Sequence, residues 1–121
     1  MVKSPIYLDN HATTPCDPLV FDAMRPYFCQ EFGNAASTHS FGEAASAAVE
    51  ESRATIASAV KCDPDEVIFT SGATESNNLA ILGVARRLPP DSHFITTAIE
   101  NTYVLEPFQK LSREGRQVTI L

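Results

Sequence analysis

The hydrophobic pattern changes character near residue 40. Before it, apolar positions are scattered among prolines and glycines, which reads as loop and extended chain interrupted by one helix. That helix begins at Pro18, a residue suited to a first turn, and carries Leu19, Phe21, Met24, Phe28 and Phe32 at mixed three- and four-residue steps. Pro26 within it predicts a kink or an early end. From Phe41 to Lys61 an Ala-rich helix follows, with Glu43, Glu50 and Glu51 early, Lys61 last, and Val49, Ile56 and Val60 sharing one side. Cys62-Asp63-Pro64-Asp65 breaks it. Glu66 to Thr70 has the composition of a short buried strand, and Ser71-Gly72 follows at once.

A second regular helix is expected from about Ala73 to Leu88, with Leu79, Leu82 and Ala85 on one side and Arg86-Arg87 at its end. Pro89-Pro90-Asp91 stops it, and His93 to Thr97 reads as a strand. Thr102 to Glu114 is a further helix closed by Gly115, and Gln117 to Leu121 a last strand. This alternation is the signature of an α/β fold: a partial, mainly parallel sheet with flanking helices. A parallel sheet of three strands leaves two bare edges, so the chain looks incomplete as a domain. Two regions are expected: residues 1–40, an arm with loops and one helix, and residues 41–121, the start of a larger α/β domain.

Composition narrows the class. With 9 basic and 15 acidic residues, the formal charge of −6 disfavours a general nucleic-acid binder, which needs a basic surface. The longest apolar run, Leu79 to Ala85, is far short of a membrane span of about 20 residues. The N-terminus has no apolar stretch of the secretory kind. Cys16, Cys29 and Cys62 are odd in number and lack CxxC spacing, which argues against zinc sites and disulfide frameworks and fits a reducing cytoplasm.

The chemistry concentrates where the expected strand meets the helix, at Thr70-Ser71-Gly72-Ala73-Thr74-Glu75. Helix N-terminal amides and the positive end of the dipole would face whatever lies beyond the strand, which suits an anion. Gly72 lets an oxygen approach the backbone, and the hydroxyls of Ser71 and Thr74 can add donors. The plainer alternative is ordinary capping by Ser71 with no ligand. The polar segments Tyr7 to Pro15 and Phe32 to His39 are each either substrate-side loops or surface loops with Asx and ST turns. A lone His39 or His93 is more often a satisfied polar residue than a ligand. No Ser/His/Asp set can be argued from spacing.

Together these segments carry more. Tyr7-Leu8-Asp9-Asn10-His11-Ala12-Thr13-Thr14-Pro15, Phe32-Gly33-Asn34-Ala35-Ala36-Ser37-Thr38-His39 and Phe69-Thr70-Ser71-Gly72-Ala73-Thr74-Glu75-Ser76-Asn77-Asn78-Leu79-Ala80 occur in order. They resemble the N-terminal third of the cysteine desulfurases of the NifS/IscS type, in the class V aminotransferase group, and the likeness runs from about Ile6 to Leu121. The resemblance implies a fold type I enzyme of pyridoxal 5′-phosphate. It implies a homodimer converting L-cysteine to L-alanine, with sulfur passed on as a persulfide for iron–sulfur or thio-cofactor assembly. On that basis Gly72, Ala73 and Thr74 would receive the cofactor's phosphate.

The pattern also departs from the family. Asn101 stands where the family has a histidine that stacks on the cofactor ring and relays protons, and asparagine has no titration near neutral pH. Ala35 replaces the family's proline. The family's Schiff-base lysine, the aspartate facing the pyridinium nitrogen, the substrate-carboxylate arginine and the persulfide cysteine come later in the pattern. Lys3, Lys61, Lys110 and the three cysteines match none of these, so no catalytic residue is assigned and turnover by this chain alone is not expected. Its activity would need a complementary C-terminal chain. The alternatives are a non-catalytic homologue that self-associates or binds a full-length desulfurase through its sheet edge, and a selenocysteine lyase or other class V relative.

Overall fold

The computed structural model describes residues 5–121. The chain divides into two compact units, with the boundary in sequence between Val67 and Ile68.

In the first unit, helix α1 (Pro18–Cys29) starts where expected, with the Asp17 carboxylate accepting the Leu19 N–H at 2.8 Å. Pro26 does not stop it at once: the helix runs three residues further, and the Pro26 carbonyl accepts the Gln30 N–H at 2.8 Å. None of its residues is buried. Helix α2 (Ser40–Val60) is entered through His39, whose Nδ1 accepts the Gly42 N–H at 3.3 Å. His39 is thus a cap. Asn34 forms the anticipated Asx turn, its side-chain oxygen accepting the Ala36 N–H at 2.9 Å.

The covered stripe of α2 is Gly42, Ala45, Val49, Arg53 and Ala57. Ile56 and Val60, expected on that side with Val49, are exposed. At the start of the helix close approach sets the stripe: a Cβ on Gly42 would stand 2.1 Å from the Ser37 carbonyl, so the loop before α2 fits only against a small residue there. Lys61 ends α2 in the left-handed conformation at φ 61°. A single 3-10 turn, Pro64–Glu66, follows, and Glu66 accepts the Asp63 N–H at 2.9 Å.

The expected strand at 66–70 does not form. Its first residue lies in that 3-10 turn, and 67–70 lies outside any helix or ladder, with Val67 extended. Val67 is fastened by its carbonyl, which accepts from the Arg53 guanidinium, while Ile68 is 65% exposed. A strand needs a neighbour, and among the described residues none pairs with this segment.

The second unit holds α3 (Ala73–Arg87), β1 (His93–Thr96), α4 (Thr102–Arg113) and β2 (Gln117–Ile120). The α/β class stands, with two strands in the sheet instead of three. β1 and β2 pair in parallel, Phe94 opposite Val118 and Thr96 opposite Ile120. Helix α4 crosses between them and covers this face, its Phe108 ring lying 6.5 Å from that of Phe94. Ala85, Thr96, Pro107 and Leu111 form the buried centre. The other face shows Ile95 and a hydrogen bond of 2.8 Å between His93 Nε2 and Thr119 Oγ1, so His93 is a satisfied polar residue.

Gly115, at φ 86°, ends α4 as anticipated. Its N–H reaches Ser112 and that of Arg116 reaches Leu111, which is the Schellman arrangement. The Arg116 guanidinium then lies 5.4 Å over Phe94 and donates to the Pro89 carbonyl at 2.8 Å, tying the start of β2 to the end of α3. No helix among the described residues is long and apolar enough to cross a membrane.

Candidate cofactor site

Gly72 is almost fully extended, at φ 159° and ψ −176°, and turns the chain directly into α3. No side chain caps this helix. The Ser76 N–H already bonds the Gly72 carbonyl at 3.1 Å, while the amides of the first turn ahead of it have no intrahelical acceptor. Nothing lies within 4 Å of where a Cβ on Gly72 would stand, so space for a ligand oxygen is open beside those amides. The residues present fit a phosphate.

The hydroxyls divide differently from the sequence expectation. Ser71 neither caps the helix nor offers its donors outward: its N–H and Oγ–H both reach Glu75 Oε2, each at 2.7 Å. These two bonds, the hydroxyl's first, hold the Glu75 carboxyl below its ordinary value. A second connection joins Thr70 Oγ1 to Ser76 Oγ at 2.6 Å. Thr74, by contrast, keeps its hydroxyl unengaged among the described residues, and its carbonyl accepts from Asn78 at 2.9 Å.

Asn101 is the N-cap residue of α4. Its side-chain oxygen accepts from Thr102 Oγ1 at 3.2 Å and caps no backbone amide. Helices α3 and α4 pack on each other, and their C-terminal turns meet at one cleft of about 160 Å³, where Leu82, Ala85 and Arg86 face Lys110, Leu111 and Glu114. Because α4 leads back from β1 to the parallel β2, its N-terminus at Asn101 lies beyond the C-terminal end of β1.

Lys3 falls outside the described residues, Lys61 closes α2, and Lys110 pairs with Glu114 at 3.9 Å in the last turn of α4. Cys16 and Cys29 are exposed and Cys62 half-buried, all with free thiols. Among the described residues, no cluster of three or more His, Cys, Asp or Glu is placed to hold a metal. Glu75 and Ser76 were missed on sequence. A capping box spaces its partners three apart, and Ser71 and Glu75 are four apart.

Parallel strands joined through α4, with α3 packed on that helix, define a protein of the α/β class. The chain belongs to the class-V aminotransferase family, which matches it over residues 6–121. The cysteine desulfurase IscS of Dechloromonas aromatica is 50% identical to it over 123 aligned residues, a span of 99% of this chain and 30% of the relative. A solved NifS-like protein superposes with a TM-score of 0.84 at 35% identity, over 93% of this chain and 31% of that one. The structure described as SspA in complex with cysteine gives 0.80 at 40% identity, over 91% and 32%. The chain thus spans about 30% of the length of the curated relatives it matches.

Proposed function

We propose that this chain supplies the phosphate-binding part of a pyridoxal-phosphate-dependent cysteine desulfurase. The observation that carries the reading is the open turn at Gly72, with uncapped helix amides beside a space no side chain fills. The backbone amides at Ala73 and Thr74 and the Thr74 hydroxyl would hold the phosphate, and Asn101 would lie against the ring from the start of α4. When bound, the cofactor supplies the electron sink that carbon–sulfur cleavage in L-cysteine requires. Asn101 can hydrogen-bond but holds no exchangeable charge near neutral pH, so it orients and does not relay protons.

By sequence none of Lys3, Lys61 and Lys110 matches the family's Schiff-base lysine, so cofactor held by this chain alone would be non-covalent and L-cysteine turnover would need a lysine from elsewhere in the enzyme. The three free thiols agree with a cytoplasmic setting.

The test is retention. The 121-residue chain is incubated with pyridoxal phosphate, desalted, and its absorbance and bound phosphate measured. Stoichiometric retention that falls about fivefold in T74V, as expected when one hydroxyl donor is lost, supports the reading. Retention no better than that of pyridoxal, which lacks the phosphate, overturns it.

A second reading is association with another copy or with a full-length desulfurase. It draws on Ile95 and Ile120, 60% and 47% exposed on the two faces of a sheet with both edges open. A monomer by light scattering across concentration contradicts self-association.

A further inference from the structure

We infer that Glu75 is a positioning residue for the anion site, acting through Ser71 on the turn that carries Gly72. The inference rests on the phosphate reading above. A carboxylate in the first turn of α3 is electrostatically the wrong group beside a bound phosphate, since like charges repel. It is nevertheless engaged with the turn: one oxygen, Oε2, takes both the N–H and the hydroxyl of Ser71 at 2.7 Å. One turn position further on, Ser76 Oγ meets Thr70 Oγ1 at 2.6 Å, and Thr70 also reaches the Gly72 carbonyl at 3.3 Å.

Two side chains from the helix therefore reach back over Gly72 to the two residues ahead of it. The rest of this segment is weakly held. Residues 71–76 are all exposed, Gly72 has no Cβ to restrict it, and 67–70 lies in no ladder. The straps fix where Gly72 enters α3 and so which way the amides of Ala73 and Thr74 point. Because Ser71 spends its donors on Glu75, it adds nothing directly to the ligand. Glu75 exerts its effect through geometry, against its own charge.

This separates two predictions of opposite sign. If Glu75 acts only by charge, E75A and E75Q both strengthen phosphate binding. If it positions the turn, E75A weakens binding, and E75Q, whose amide oxygen still accepts from Ser71, binds at least as tightly as the parent.

The experiment is a two-dimensional amide NMR titration of the 121-residue chain and both variants with inorganic phosphate, together with hydrogen exchange at the Ser71 amide. The positioning role predicts affinity about fivefold weaker in E75A and restored in E75Q, with Ser71 exchange about tenfold faster in E75A alone. Binding by E75A as tight as by E75Q overturns it, as does Ser71 exchange that is unchanged in E75A. Absence of phosphate-dependent shifts at Ala73 and Thr74 in the parent overturns the phosphate reading and the positioning role with it, whereas unchanged exchange with intact phosphate binding overturns the role of Glu75 alone. Glu75 is fully exposed, so its variants keep the buried centre, and matching amide spectra away from 70–76 check this.

Discussion

Leu111→Ala probes the packing of α3 on α4. Leu111 is 4% exposed, on the face of α4 that meets α3, and it lines the cleft with Leu82 and Ala85. Truncating a buried leucine costs about 2–5 kcal/mol, the cost rising with the cavity that remains. Here one side already borders an open cleft of about 160 Å³, so fewer contacts are lost than in a closed core. That places L111A at the low end, about 2–3 kcal/mol. For a chain of this size the midpoint falls by about 4 °C per kcal/mol, so a drop of about 10 °C is expected. The assay is thermal unfolding followed by circular dichroism, with L79A as comparison, since Leu79 on α3 is 48% exposed and should cost about 1 kcal/mol or less. The same samples are tested for pyridoxal-phosphate retention, which should fall in L111A at temperatures where its α3–α4 pair has loosened. A melting point within about 2 °C of the parent would refute the claim that Leu111 holds these helices together.

The helices were legible because their punctuation is local. Asp17-Pro18, Pro89-Pro90 and Gly115 act on adjacent backbone, and the structure starts or stops helices there. The misread strand at 66–70 shows the converse. Val67 is extended as the composition of the segment suggests, but a ladder depends on a partner that no property of these residues specifies. The buried side of α2 was misjudged for a related reason. Apolar size pointed to Ile56 and Val60, whereas the small residues Gly42, Ala45 and Ala57 face inward, Gly42 directly against the Ser37 backbone. At the site, Gly72 was readable because a glycine before a helix has a local mechanism. Asn101 carries no chemistry of its own to single it out, and only the family resemblance pointed to it. Ser71 was read as a cap or a ligand donor. Its actual partner, Glu75, became visible only once the first turn of α3 had been placed in space.

The glycines give an opposed pair. G42A should destabilise by about 1–3 kcal/mol, because the new methyl meets the Ser37 backbone, which has no flexible end to move aside. G83A should stabilise by about 0.5–1 kcal/mol, since Gly83 sits inside α3 with nothing within 4 Å of the added Cβ; urea unfolding of both variants checks the signs. The last prediction concerns acid. In the folded chain the Glu75 carboxyl titrates below its unfolded value, because the hydroxyl and then the amide of Ser71 bond its charged form. A depressed carboxyl adds stability that is complete above the unfolded pKa and disappears as pH falls through the lower, folded one. Protonation takes away the charge that strengthens both bonds, so the strap over Gly72 loosens on the acid side only. The Ser71 amide resonance, followed against pH, should therefore shift with a midpoint below the usual glutamate value of about 4.3. In E75Q, which keeps the acceptor oxygen and has no proton to gain, the same resonance should stay flat through that range. A Ser71 midpoint at or above the usual glutamate value, or an E75Q profile that still titrates, would mean that Ser71 answers to some other group.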